Sequence, residues 1–314
     1  MRASDAGPEH MEPVLPVLYI NLDRAPARRQ HVEQQITRTF APGTYAAHRI
    51  AGVDGARVDP DRLLISPYTR YILSDRSRAS AHAQIEAWGA IGCLLSHVLC
   101  WEWLLAQPPD QTPHCLVLED DACFPPDFVA RVWDSPALRG LRAQSPHGPW
   151  DVLMLGYFNA RGLQPLGAAA AGDVPLHTVR PGGVFYGTQA YLLTRRGAAI
   201  LREHVFPLEI QSDAYILVLQ QLGWLRVLLT RVVEQCAGST EPGIQHGFRE
   251  QQLCARLCGC GQWAAARGAL DRAQGWVVLL AAVLSLGLGA LAAVWLGRRR
   301  RRGRLTPAPQ SPPR

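Results

Sequence analysis

Three consecutive carboxylates stand in the stretch LVLEDDA, residues 116–122. Glu119, Asp120 and Asp121 follow an apolar run whose length and composition are typical of a buried strand. Moving carboxylates out of water costs free energy unless a positive charge lies against them. Oxygen ligands suit Mg²⁺ or Mn²⁺, which proteins commonly share with substrate phosphates. The cluster is therefore interpreted either as a metal site or as a solvated acidic turn.

The basic residues of the chain are all arginines, and lysine is absent. Mechanisms that use a lysine base or a lysine Schiff base are therefore excluded. The formal net charge is +6, but seven arginines and no acidic residue follow residue 297, so the rest of the chain is close to neutral. We expect no nucleic-acid partner.

Apolar periodicity and turn residues predict the elements that position the carboxylates. After a disordered segment 1–13, the run 13–20 predicts a strand, a polar turn follows it, and Pro26 opens a helix to about residue 39. A long helix is predicted over 84–107, where two prolines stop it. Further strands are predicted within 48–58, 115–118, 151–155, 184–194 and 224–229, with loops at 60–82 and 162–175.

Two later helices carry candidate caps at their starts. Thr194 precedes one, and Ser212 or Asp213 precedes the other. Strands that alternate with helices predict an α/β domain with a mostly parallel sheet, here over 14–245. Ligands of such sheets collect beyond the carboxyl ends of the strands, which is where the three carboxylates are expected.

A membrane span is predicted over 276–296, a run of 21 residues without charge. Trp276 and Trp295 stand near its ends, and an arginine-rich tail at 297–314 follows a cysteine-containing linker at 246–275. Small residues at four-residue spacing in the span indicate a homodimer through this helix. The first 20 residues lack the pattern of a signal peptide, so we expect the catalytic domain in the cytosol. The positive-inside rule, applied to the arginines, favours the opposite side.

The cysteines leave the compartment open. Cys93, Cys100, Cys115 and Cys123 fall in apolar segments, where free cysteine commonly behaves as a small hydrophobic residue. Three more lie before the predicted span, at a spacing that suits palmitoylation, a partial metal site or unmodified thiols.

Several ordered blocks of the sequence resemble glycosyltransferase family 25. These blocks are VLYINLDRAPARR (17–29), RIAGVDG (49–55), GAIGCLLSH (89–97), LVLEDDA (116–122), DVLMLG (151–156), GTQAYLLTRRGAAIL (187–201), SDAYI (212–216) and VVEQ (232–235). The resemblance implies a GT-A type nucleotide-sugar transferase fold. It also implies transfer of a sugar, often galactose, from a UDP-sugar donor to a carbohydrate-bearing acceptor, with inversion at the anomeric carbon.

The resemblance also implies roles for the matched residues. Asp121 would bind Mn²⁺ (or Mg²⁺), while Glu119 or Asp120 would contact the donor ribose or the metal and its water. Four residues of the first block would lie around the donor base, ribose or diphosphate: Asn21, Asp23, Arg24 and Arg28. Turn formation by Asn21 and surface solvation of the arginines are the alternatives.

An inverting transfer needs a base that takes the proton of the acceptor hydroxyl. Asp213 in SDAYI is the candidate, against the alternative that it caps a helix. His97, with Ser96 beside it, is interpreted as a helix-packing histidine. Ala90 stands where the family usually carries glutamate, which motivates a second hypothesis of a catalytically inactive sugar-nucleotide or partner-binding module. A metal-dependent phosphate hydrolase is a third, for which the sequence shows no obvious nucleophile.

Overall fold

A computed structural model describes residues 14–79, 81, 83–143, 148–167 and 173–236. The predicted domain over 14–245 is therefore described as far as residue 236. The N-terminal segment 1–13, the linker 246–275, the membrane span 276–296 and the tail 297–314 lie outside the described residues.

The domain is built on a sheet of six strands, which are β1 Leu15–Asn21, β2 Tyr45–Ala51, β3 His114–Glu119, β5 Val152–Pro165, β6 His177–Thr194 and β7 Val227–Leu229. Their order in the sheet is β2-β1-β3-β6-β5-β7. Strand β6 runs antiparallel to its neighbours β3 and β5, whereas β1 pairs in parallel with β2 and β3, and β5 in parallel with β7. The predicted α/β architecture with a mostly parallel sheet is thus confirmed. A separate pair joins β4 Ala122–Cys123 to β8 Glu234–Gln235.

Helices cover both faces of the sheet, which explains why its strands read as continuous apolar runs. Leu18 and Val117 lie in one buried cluster, and their chain neighbours Val17 and Leu116 lie in the other. The first face packs against α3 Trp88–Ala106, α5 Arg195–His204 and α6 Ser212–Gln221, and the second against α1 Pro26–Thr39 and α4 Pro136–Ala143.

Helix α3 is, within the described part of the chain, the one helix with the length and apolar composition of a membrane span. Of its most apolar stretch, 56% is buried inside the domain. Trp101 and Leu104 are fully buried in the cluster on the first sheet face. We therefore describe α3 as a core helix.

Several predicted boundaries are wrong. Helix α3 begins at Trp88 instead of residue 84, because Gln84 forms a bridge with Ile210 outside the helix. The predicted loop 60–82 contains α2 Pro67–Leu73 and short 3₁₀ turns, each begun by a serine or aspartate that accepts a backbone N–H. Strand β5 extends to Pro165, into the predicted loop 162–175.

The two predicted helix caps have different outcomes. Thr194 caps α5, since its hydroxyl accepts a hydrogen bond from the Gly197 N–H at 3.1 Å. Helix α6 instead has Gln211 at its N-cap, with no side-chain cap, and Ser212 and Asp213 lie in its first turn. The prediction that one of these two residues caps α6 is therefore wrong.

A disulfide joins Cys123 to Cys236, whose Cα atoms are 5.5 Å apart. This corrects the interpretation of Cys123 as a free apolar cysteine. Cys93, Cys100 and Cys115 carry free thiols, as expected. The disulfide fastens β8 beside β4, directly after the acidic cluster.

Candidate active site

The carboxyl ends of β1 and β3 bring the first predicted site residues together. In the parallel register Ile20 lies opposite Glu119, so the next residues of each strand, Asn21 and Asp120, are neighbours. Asn21 Nδ2 donates to Asp120 Oδ2 at 2.7 Å and to the Ala25 carbonyl at 3.0 Å. Asn21 is buried and ties the acidic cluster to the start of α1, so its contacts go beyond the turn formation of the alternative interpretation.

Arg28, in the first turns of α1, faces the same cluster. Its Nη2 forms ion pairs with Asp120 Oδ1 and with Asp121 Oδ2, the latter at 3.1 Å. Gln235 Nε2, on β8, also donates to Asp121 Oδ2 at 2.8 Å. The other oxygen, Asp121 Oδ1, is buried and has no hydrogen-bond partner. A buried carboxylate oxygen without a partner is costly in a protein, and an ordered water or a bound ion would satisfy it.

The cluster holds more negative than positive charge. Glu119, Asp120 and Asp121 face one guanidinium, that of Arg28. Burial raises the pKa of Asp120 above its usual value. Burial and the charge of Glu119 raise the pKa of Asp121 to about 6. The surplus charge is that of two carboxylates, which a divalent cation would neutralise.

Glu119 points to a different set of partners. Its Oε1 accepts a hydrogen bond from the Thr188 hydroxyl at 2.7 Å and lies 3.4 Å from His97 Nε2. Burial raises the pKa of Glu119, but hydrogen bonds from His97 and from the Thr188 hydroxyl, with the charge of Arg28, outweigh it and leave the pKa lowered. The side chain keeps 26% of its surface exposed, so one edge of this carboxylate remains accessible.

A backbone hydrogen bond from β6 holds the side chain of Asp213. Its Oδ2 accepts a hydrogen bond from the Gly187 N–H at 2.8 Å, and its Oδ1 from the Ala214 N–H at 2.7 Å. Gly187 has a φ of +89°, a conformation that glycine adopts without strain. The neighbouring Ser212 Oγ lies 3.2 Å from Thr188 Oγ1, so one shared hydroxyl connects the Asp213 turn to Glu119.

Asp23 and Arg24 lie at the rim, away from the carboxylate cluster. Asp23 Oδ1 contacts Arg49 Nη2 at 2.5 Å, and this arginine lowers the pKa of Asp23. Arg24 pairs with Asp54 at 3.2 Å. Arg49 also donates to the Asn21 carbonyl at 3.0 Å, which makes it a site neighbour that the sequence did not single out. The position of Arg49 in the RIAGVDG block, 49–55, is the sequence signal that could have identified it.

Ser96 and Ala90 have structural settings. The Ser96 hydroxyl accepts from the Val53 N–H at 2.8 Å and donates to the Gly92 carbonyl at 2.6 Å, which fixes the turn after β2 against α3. A Cβ on Gly92 would lie 2.3 Å from the Val53 carbonyl oxygen, so only glycine permits this approach. Ala90 is buried in the apolar cluster on the first sheet face.

Two sets of side chains are close enough to share a metal ion, among the residues that the structure describes. One is Cys93, His97 and Glu119, and the other combines His31 with the two cysteines of the disulfide; in each set the ligand atoms lie within 4.8 Å of one another. The second set is closed to a metal while its sulfurs are bonded to each other. In the first, Glu119 already belongs to the acidic cluster.

Comparison with known proteins finds similarity to one family. Residues 14–135 match the family model described as glycosyltransferase family 25 (LPS biosynthesis protein). A "Glycosyltransferase 25 family member" of Aedes aegypti is 30% identical over 212 residues, which are 64% of this chain and 30% of the relative. One of Drosophila pseudoobscura pseudoobscura is 28% identical over 184 residues, which are 58% of this chain and 26% of the relative. The aligned part of this chain thus spans less than a third of the length of either curated relative.

Among solved structures, a glucose-1-phosphate thymidylyltransferase from Bacillus anthracis in complex with sucrose is similar over 79% of this chain and 98% of its own. The identity is 10% and the TM-score 0.32, a likeness that carries no argument. The assignment of an α/β fold to the described residues rests on the strand order given above.

Proposed function

We propose that this chain transfers a sugar, with galactose favoured, from a UDP-sugar to a hydroxyl of a glycan, glycolipid or glycoprotein. The match of residues 14–135 to the model of glycosyltransferase family 25 and the similarity to two members of that family support this proposal. The fold would be of the GT-A type, and the transfer would invert the anomeric carbon. The observation that carries the proposal is the acidic cluster at the carboxyl ends of β1 and β3, with Asp121 Oδ1 buried and unpartnered.

The residues present fit a divalent cation. Asp121 and Glu119 offer hard oxygen ligands, which Mn²⁺ and Mg²⁺ prefer, and the cluster has a surplus of two negative charges. Asp121 and Glu119 would hold the ion, and Asp120 would contact its water or the donor ribose. When bound, the ion would offset the negative charge of the departing nucleoside diphosphate.

The remaining residues would bind the donor and move one proton. Asn21 and Arg28 lie against the carboxylates and would meet the donor there, while Asp23 and Arg24 would meet it at the rim. Asp213 accepts two backbone N–H groups, which fix its carboxylate and leave lone pairs for one more hydrogen. We propose that it takes the proton of the acceptor hydroxyl as the new glycosidic bond forms.

Release of nucleoside diphosphate from a panel of sugar nucleotides, with and without Mn²⁺, tests this proposal. The wild type should turn over at least one UDP-sugar, and Asp121→Asn should lose that turnover. Asp127→Asn is a matched control, because Asp127 is exposed and pairs with Arg131 at 3.0 Å. Equal turnover by the wild type and Asp121→Asn would contradict the assignment of Asp121.

A catalytically inactive binding module is the second candidate. It is favoured by Ala90, which places a methyl group in an apolar cluster where the family usually has a glutamate. Such a module would bind a UDP-sugar, measured by calorimetry, but would release no diphosphate with any acceptor. Turnover of the bound donor would decide for the enzyme.

We further propose that the predicted span 276–296 anchors the domain in a membrane. The Cys123–Cys236 disulfide is typical of oxidising compartments, and the arginines after the span favour a cytosolic tail. Both support a lumenal or extracytoplasmic domain over the cytosolic side expected in the sequence analysis. Protease protection of the tail in sealed membranes tests the orientation.

A further inference from the structure

A row of buried polar side chains runs from the interior of α3 to Glu119. Trp101 Nε1 lies 3.1 Å from Tyr191 OH, which lies 3.0 Å from His97 Nδ1. His97 Nε2 lies 3.1 Å from Thr188 Oγ1, which lies 2.7 Å from Glu119 Oε1. The first four of these side chains are at most 3% exposed, so water does not compete for their hydrogen bonds.

The chemistry of tryptophan sets the direction of the row. An indole N–H donates and cannot accept, so Tyr191 OH accepts from Trp101 and has its own hydrogen to give. Because His97 Nδ1 lies 3.0 Å from the hydroxyl, we assign it as the acceptor of this hydrogen. A neutral imidazole that accepts at Nδ1 carries its hydrogen on Nε2. His97 is then the Nε2–H tautomer and donates toward Thr188.

The hydroxyl of Thr188 connects His97 to Glu119. A hydroxyl has one hydrogen and two acceptor lone pairs. The hydrogen goes to the Glu119 carboxylate, which can only accept, and the two lone pairs receive His97 Nε2–H and the hydroxyl of Ser212. Every hydrogen in the row therefore points one way, and the alternative arrangements leave a buried donor or acceptor unpaired.

We infer that Tyr191, His97 and Thr188 are positioning residues that form a one-way hydrogen-bond chain ending at Glu119. The chain fixes Oε1 of that carboxylate through the Thr188 hydroxyl. This inference rests on the proposed function for the role of Glu119, but the direction of the chain does not. Polar partners behind a metal-binding carboxylate commonly set its orientation and the affinity of the site.

The tautomer of His97 is the direct test, because it does not require activity. Nitrogen-15 NMR of ring-labelled histidine should show His97 with a protonated Nε2 and an unprotonated Nδ1. Tyr191→Phe removes the donor to Nδ1 and should shift this spectrum, whereas Tyr157→Phe, at another buried tyrosine, should leave it unchanged. A protonated Nδ1 in the wild type, in either a neutral or a charged ring, would overturn the inference.

The effect on the site is tested by Mn²⁺ titration of the folded protein. Thr188→Ala removes the hydrogen bond to Glu119 and should weaken Mn²⁺ binding by about tenfold or more. Thr188→Ser keeps the hydroxyl and should bind like the wild type. Equal affinity in Thr188→Ala and the wild type would overturn the positioning role. A wild type that binds no Mn²⁺ would contradict the proposed function, and the His97 tautomer would then decide the chain alone.

Discussion

Arg28 Nη2 lies 3.1 Å from Asp121 Oδ2, while the other oxygen of the same carboxylate is buried without a partner. The guanidinium thus supplies one positive charge to a cluster of three carboxylates, and it stands beside the atom that a metal ion would use. Arg28 and a divalent cation would therefore both interact with the charge of Asp121 and would repel each other. One guanidinium cannot neutralise three carboxylates, whereas a divalent cation would neutralise the remaining two.

Removal of this guanidinium should separate metal binding from donor binding. Arg28→Gln should raise the affinity for Mn²⁺ in the absence of donor by roughly tenfold, since one nearby positive charge is lost. The same variant should bind UDP less well, because a charged phosphate contact is gone. Mn²⁺ titration followed by UDP titration measures both. Arg29→Gln, which removes an arginine paired with Glu33, is the control. Weaker Mn²⁺ binding by Arg28→Gln would argue against repulsion between Arg28 and the bound cation.

The raised pKa of Asp121 predicts that its ionised carboxylate, which the proposed metal site needs, lowers the free energy of unfolding. Its pKa is about 6 in the folded protein against an ordinary 3.8, so ionisation on raising the pH from about 4 to about 6 disfavours the folded state. Without metal, Asp121→Asn should therefore be more stable than the wild type by about 1–3 kcal/mol at pH 7 and similar at pH 4. Urea unfolding at both pH values measures this. A variant less stable at pH 7 would contradict the electrostatic account.

The Cys123–Cys236 disulfide should stabilise the domain and its acidic site. It closes a sequence separation of 113 residues beside a pair of two-residue strands, which would be weak without it. Reduction should lower the free energy of unfolding by about 2–5 kcal/mol. It should also weaken Mn²⁺ binding, because Gln235 on β8 donates to Asp121. The double variant Cys123→Ser/Cys236→Ser should not respond to reductant, and an equal response in both proteins would exclude the disulfide as the cause.

Asp151 predicts a stability effect without an effect on the site. Burial raises the pKa of the Asp151 carboxylate, but hydrogen bonds from Arg226 at 3.1 Å and Arg196 at 2.5 Å outweigh this effect. The pKa is therefore lowered. Asp151→Ala should destabilise the domain by about 1–3 kcal/mol at pH 7, because it removes hydrogen bonds between a carboxylate and two arginines. Because a lowered folded pKa stabilises above the unfolded value, this deficit should shrink as the pH falls below about 4. A deficit that is constant from pH 7 to pH 3 would show that packing, and not charge, causes it.

Local features of the site could be predicted from the sequence because they are continuous in the chain. The acidic cluster follows a buried strand, and Pro26 begins the helix that carries Arg28. The parallel pairings of β1 with β2 and β3 follow from apolar runs separated by helices.

The partners of these residues could not be predicted, because they come from distant segments. Gln235 reaches Asp121 across 114 positions, and Thr188 reaches Glu119 across 69. The disulfide likewise joins cysteines whose neighbouring sequences contain no pairing signal. Asp213 occurs at a helix start, where capping is common, and only the position of the Gly187 N–H shows that β6 holds it instead.

The most direct test of the account compares Asp213→Asn with the wild type in UDP-sugar binding and in transfer. Asn keeps the shape and one acceptor oxygen of the side chain but cannot take the acceptor proton. Donor affinity should stay within about twofold, while the rate of transfer should fall by about 10² to 10⁴. Transfer at the wild-type rate by Asp213→Asn, with the same donor affinity, would contradict the assignment of Asp213 as the base.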